Sequence, residues 1–172
     1  MQNREQLVAD IIALAPEQKL VSRVRLQKIA YLLEQMGCDL GFEYSYHHYG
    51  PFSHDLDRAI LDAKAFGLVK EVVANRKSDG ASYSIFELTG GNGASESSTI
   101  SSFKNQIQRF AKSNITVLEL AATANWLAEY EKVEDWGKEI VKRKGVKTKN
   151  NRLANALDLL RELHLPPAVN TQ

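Results

Sequence analysis

Residues Tyr46–Lys70 read YHHYGPFSHDLDRAILDAKAFGLVK, and this stretch decides the fold class. An aromatic run ends at Gly50-Pro51, a pair that halts a strand because proline lacks an N–H and glycine accepts backbone angles that other residues resist. Ser53 stands where a helix cap belongs, and Leu56, Ala59, Ile60 and Ala63 recur at the spacing of one buried helical face. Gly67 supplies the helix exit.

Working outward, Leu68–Ala74 and Ser82–Leu88 are strand-like runs joined by NRKSDGA, with Asp79-Gly80 at the turn, which predicts an antiparallel hairpin. Upstream, Phe42, Tyr44, Tyr46 and His48 alternate with Glu43, Ser45, His47 and Tyr49. That period of two predicts a short half-buried strand, expected to join the hairpin in a small antiparallel sheet. Leu7, Val8, Ile11, Ile12 and Ala15 predict a first helix over about residues 3 to 15, closed by Pro16. Ser22 is the expected cap of a second helix, whose buried stripe is Leu26, Ile29, Ala30, Leu33 and Met36 before Gly37. Arg23, Arg25 and Lys28 are read as its solvated outer face.

Residues 90–102 hold almost nothing that can pack and are read as a flexible linker or loop. Beyond them every periodic stretch is helical. Ile100, Phe103, Ile107 and Phe110 mark one helix; Val117, Leu120, Ala121, Ala124, Leu127 and Ala128 mark a stronger one, with Thr116 and Glu119 at capping-box spacing. Val133, Trp136, Ile140 and Val141, then Leu153, Ala156, Leu157, Leu160 and Leu163, mark two more before Pro166-Pro167. The expected fold is α+β and mainly helical: a winged-helix-like part of three helices and a small antiparallel sheet over 1–89, a helical extension over 103–165 packed on it as one domain, and a tail over 166–172.

A chain of 172 residues can bury a sizeable core without staples. Its 22 basic and 21 acidic side chains leave a net charge of +1, so attraction to nucleic acid or membrane must be local. Cys38 is the single cysteine, which excludes an intramolecular disulfide and fits a reduced, cytoplasmic protein. The start, MQNREQLVADIIALAPEQK, is amphipathic with charges inside it rather than a basic head before an apolar run, and the apolar runs are too short to span a bilayer. Neither a cleaved signal nor a membrane partner is expected.

In a DNA-binding winged helix the third helix enters the major groove and the hairpin tip touches phosphates. Here Asp55, Asp57 and Asp62 face Arg58 and Lys64, leaving that helix at −1, which repels phosphate. The concentrated basic stretch lies elsewhere: Lys138, Lys142, Arg143, Lys144, Lys147, Lys149 and Arg152 face only Glu139. Such cations suit a solvated helix end, or else a phosphate clamp. If about four of them met phosphates, log affinity would fall with log salt at a slope of about −3.6.

RLQKIAYLLEQMG followed by YHHYGPFSHDLDRAILDAKAFGLVKE resembles the YwgA-like family of bacterial proteins and, more distantly, the Panacea or SocA-type antitoxin and adaptor domains. The shared features are the Arg25–Lys28 helix start, the Tyr-Gly-Pro-Phe-Ser turn at Tyr49–Ser53 and the hairpin entry at Gly67–Val69. The resemblance covers residues 22–72 and, more weakly, Leu118–Lys132. It implies a cytoplasmic, non-enzymatic protein that binds another protein.

Reactive chemistry is sparse. Adjacent residues in a strand point to opposite faces, so His47 and His48 do not converge on an ion, and no metal or cofactor is expected from them with His54 and Cys38. Gly-Pro-Phe-Ser is not a nucleophile elbow, and Gly90-Gly91-Asn92-Gly93 is not followed by the Lys-Ser/Thr of a phosphate loop. Trp126, Tyr130 and Trp136 are read as an aromatic cluster between helices. The expected function is therefore a non-enzymatic protein-interaction module, antitoxin- or adaptor-like, meeting an unidentified protein partner through Tyr49, Phe52, Asp55, Arg58 and Asp62. The alternative is a DNA-binding transcriptional regulator that uses the winged helix with Lys138, Lys142, Arg143, Lys144, Lys147 and Lys149.

Overall fold

A computed structural model describes residues 3–90 and 99–167. Most of the expected loop, and residues 168–172 of the expected tail, lie outside the described residues. The chain is α+β and mainly helical, with a three-stranded antiparallel sheet and a separate two-stranded ribbon.

Helix α1 (Arg4–Leu14) leads through a short 3-10 turn into β1 (Lys19–Val21) and α2 (Arg23–Gln35). The ribbon β2 (Ser45–His47) and β3 (Gly50–Phe52) follows, then α3 (His54–Ala65) and the long hairpin β4 (Val69–Asn75) and β5 (Ser82–Leu88). Ser22 and Ser53 cap α2 and α3 as expected, each accepting from the backbone N–H three residues on. The hairpin closes at Asp79-Gly80, where Gly80 has φ 71° and Asp79 Oδ1 accepts from Ala81 N.

The third strand of the sheet is not the expected one. The sheet order is β1-β5-β4, so the strand beside the hairpin is Lys19–Val21, paired with Ile85–Glu87. The expected alternation holds as far as His47, with Phe42 buried and Tyr44 and Tyr46 half-buried between exposed Glu43, Ser45 and His47, but His48 is exposed like its neighbours. The start of this run packs as extended chain outside the sheet: Gly41 at φ 73° precedes it, and Phe42 N donates to Glu34 Oε1. Only Ser45–His47 forms a strand, and it pairs with Gly50–Phe52. Proline fits there because the ribbon's outer side needs no donor.

The helical remainder begins with a 3-10 turn at Thr99–Phe103, within the expected loop and helix start, where Ile100 is buried. Then come α4 (Lys104–Lys112), α5 (Ile115–Glu129), α6 (Trp136–Lys144) and α7 (Arg152–Glu162). The cap of α5 is Asn114, whose side chain accepts from Thr116 N and Val117 N, so the expected Thr116–Glu119 capping box is absent. Glu119 faces inward instead.

α5 is the central helix. Nine of its residues are buried, and it packs against α2, β3, α6 and α7. One hydrophobic cluster therefore runs from Leu7 in α1 through Phe86 in β5 to Leu165 after α7. Polar contacts stitch the same seam: Tyr31 OH donates to Asn125 Oδ1 at 2.6 Å, and Asn125 Nδ2 donates to Pro166 O at 2.8 Å. Among the described residues no helix is long and apolar enough to cross a membrane.

Candidate functional site: a clamped aromatic turn

The two segments that carry the family resemblance touch each other. Gln27 of α2 makes a reciprocal pair with the backbone of Ser53: its Nε2 donates to Ser53 O, and its Oε1 accepts from Ser53 N, both at 2.9 Å. Next to it, Lys28 Nζ donates to Pro51 O at 2.6 Å. A glutamine can saturate both backbone groups of one residue this way, so the chain entering α3 is fixed from the side. Gly50 closes the other flank: at φ 94° it needs no Cβ, and a Cβ there would lie 2.6 Å from Thr123 Oγ1 of α5. Gly50-Pro51 therefore does not halt a strand as expected: Gly50–Phe52 is itself strand β3, held between α2 and α5, and the turn before it is His48–Tyr49.

What projects from this clamp is aromatic. Gly50, Pro51 and Ser53 are buried, Phe52 is half-buried, and Tyr49 is 48% exposed. Phe52 packs tilted against His47 and edge-on against His54 at centroid distances of 5.0 Å each, while His48 lies edge-on to Tyr49 at 4.9 Å. His47 and His48 thus serve two separate ring contacts. Beside the turn a cleft of about 320 Å³ is walled by Val24, Tyr49 and Phe52, with Arg23, Gln27, Lys28 and Asp57 around it.

Lys28 departs from its sequence reading. It is 1% exposed, not on a solvated face, because β3 and α5 cover that side of α2. Burial lowers its amine to about 7; Glu119 pulls the other way, and Lys144 and Lys147 reinforce the lowering.

The third helix is less acidic in its setting than alone. Arg4 of α1 lies 3.4 Å from Asp55, and Arg23 lies 3.3 Å from Asp57 and 2.7 Å from Glu71. Lys64 also reaches Glu71 at 3.4 Å. Burial raises the Glu71 carboxyl, but the hydrogen bond and charge of Arg23 outweigh it and hold the group below its ordinary range. Arg58 and Asp62 stay exposed and line, with Arg4 and Asp55, a cleft of about 410 Å³ between α1 and α3. The structure therefore brings Asp55, Arg58 and Asp62 onto one surface, while Tyr49 and Phe52 stand beyond the start of the same helix.

The basic stretch divides. Lys144 is buried, with Nζ 2.8 Å from Glu119 Oε1 and 3.1 Å from His48 O; Lys147 Nζ meets the same carboxylate at 3.0 Å. Arg143 forks onto Glu131 with two bonds of 2.7 Å, donates to Glu139 at 2.8 Å and lies 4.7 Å above the Tyr46 ring. The bond to Glu131 leads the effects that raise the pKa of its guanidinium. Lys138, Lys142 and Lys149 remain exposed without a carboxylate partner among the described residues. Glu119, absent from the expected site, is the residue that organises this end of the molecule.

Trp126 and Tyr130 stack at 4.6 Å, and Trp126 lies 6.4 Å from Tyr31, so this part of the expected aromatic cluster joins α5 to α2. Among the described residues no three His, Cys, Asp or Glu side chains gather as a metal site. Comparison with protein-family models and with curated proteins finds no match.

Proposed function

We propose that this chain is a cytoplasmic, non-enzymatic protein-interaction module, antitoxin- or adaptor-like, on a winged-helix-like scaffold. Its partner is a protein, met through Tyr49 and Phe52 on the turn and Asp55, Arg58 and Asp62 on α3. The observation that carries this reading is the clamp: Gln27 and Lys28 hold the backbone of Pro51 and Ser53 while Tyr49 beside them is left 48% exposed. An exposed aromatic on a rigid backbone binds at little ordering cost, which is the property of an interface anchor. The element order from α1 to β5 and the β1-β5-β4 pairing support the winged-helix-like scaffold. Gln27 and Lys28 meet Pro51 and Ser53, so the segments on which the YwgA-like resemblance rests are in contact.

The engagement of Arg143, Lys144 and Lys147 by carboxylates speaks against a phosphate clamp. Affinity capture from a bacterial lysate with the intact protein is expected to recover a protein that Tyr49→Ala and Arg58→Glu both lose. In parallel, mixed duplex DNA is expected to bind weakly or not at all. Tight duplex binding with a salt slope of about −2.7, as three free lysines would give, together with capture unaffected by either substitution, would sink the proposal.

A further inference from the structure

Strand β5 is longer than the strand that covers its outer edge. β5 spans seven residues, and β1 pairs with only Ile85–Glu87 before the chain turns off the sheet at Ser22, where φ is 86°. The last contact is Ser22 N donating to Ser84 O at 2.8 Å. In an antiparallel ladder residues two apart present their backbone to the same side, so the N–H and C=O of Ser82 also point outward, past the end of β1. A groove of about 970 Å³ lies in that vacancy, between the hairpin tip and the start of α2. Val21, Val24, Tyr83 and Ile115 give it apolar walls, and Val21 is 42% exposed.

The charged residues that line this groove are all cationic: Arg25, Arg76 and Lys77. Arg76 is matched by Asp79 just outside it. Arg25 is not matched: its Nε donates to Val21 O, its Nη1 to Phe110 O and Ser113 O, and every one of those acceptors is a neutral carbonyl. Its Nη2 has no hydrogen bond among the described residues. The N-terminus of α2 adds partial positive charge at the same place.

We propose that the groove takes an extended, acidic peptide segment of a protein partner, laid along β5 as a continuation of β1. Its backbone pairs with Ser82, its alternate apolar side chains meet Val21, Val24 and Ile115, and a carboxylate sits against Arg25 and Lys77. Aliphatic walls and an unpaired strand edge suit a peptide better than a sugar-phosphate chain. The groove shares Tyr49 with the surface at α3, but Lys77 lies only in the groove and Arg58 only at α3, so substitutions at those two residues tell the surfaces apart.

The test is an NMR titration of the intact labelled protein with three probes: a short peptide alternating valine and glutamate, its valine-lysine counterpart, and a single-stranded oligonucleotide. The acidic peptide is expected to shift the amides of Val21, Ser82 and Tyr83. Lys77→Glu, at an exposed site on the hairpin tip, is expected to weaken it by about tenfold or more. Ser82→Pro, which removes the outward N–H, is expected to abolish it with the circular dichroism spectrum retained, while Arg58→Glu leaves it unchanged. Equal binding of the lysine peptide overturns the proposal. So do groove shifts caused by the oligonucleotide alone, self-association of the protein through these residues, or no shifts at all.

Discussion

Lys28 places an amine in the interior with one carbonyl to receive its protons, and its stability effect has a definite sign. Burial lowers its pKa to about 7, far below the ordinary lysine value, so between that pH and about 10 the unfolded chain binds a proton that the folded chain does not. Stability rises with pH wherever the unfolded state holds more protons. The penalty for Lys28 is therefore full below pH 7 and is relieved as pH rises toward 10. Above about 10 the sign reverses, because burial raises the phenols of Tyr31 and Tyr44 and an unfolded tyrosine loses its proton first. Urea unfolding across this range is expected to show a maximum near the alkaline end for the native chain, and Lys28→Met is expected to flatten the ascending limb. An ascending limb of the same steepness in that variant would assign the effect elsewhere.

At the level of elements, α5 and α6 are joined by one buried ion pair. Lys144 and Glu119 are 8% and 4% exposed, and removing the carboxylate leaves the Lys144 ammonium away from water with only His48 O to accept from it. Glu119→Gln is expected to cost about 3–5 kcal/mol by denaturant unfolding, whereas Glu119→Leu combined with Lys144→Met is expected to recover most of that loss. A double substitution as damaging as the single one would mean the pair acts through packing alone. The same elements explain what sequence reading could reach. Apolar spacing located α1, α2, α3 and the helices of the extension, because each shows its buried stripe along its own chain. It could not find that α2 is covered on a second side, so Lys28 read as solvated, nor that Glu119 is an interior anion, since its spacing from Thr116 mimicked a cap. β1 escaped because three residues with only Leu20 buried carry no period. The turn residues Tyr49–Ser53 were legible as a motif, but the Gln27 clamp behind them joins residues 26 apart in sequence and leaves no local signature.

Across the whole molecule, the N-terminal sheet part and the C-terminal helices share their core. Tyr31, Lys28 and Gly50 are covered by α5, and Arg25 of α2 donates to carbonyls at the end of α4. A segment holding residues 1–90 alone would bare that side of α2, and the helices alone would bare the face of α5 that meets it. Produced as two polypeptides, 1–90 and 99–172, each is expected to melt without a sharp transition, and mixing them is expected to restore the native circular dichroism spectrum and a cooperative melt. Cooperative folding of 1–90 by itself would show the halves to be independent.

The close approach of Gly50 to Thr123 gives that shared core a further consequence. Because the aromatic turn rests directly on α5, a force or ligand that displaces α5 also displaces Tyr49 and Phe52. The helical extension is in that sense the backrest of the recognition surface, and loosening it would blunt recognition without altering a single residue at the surface.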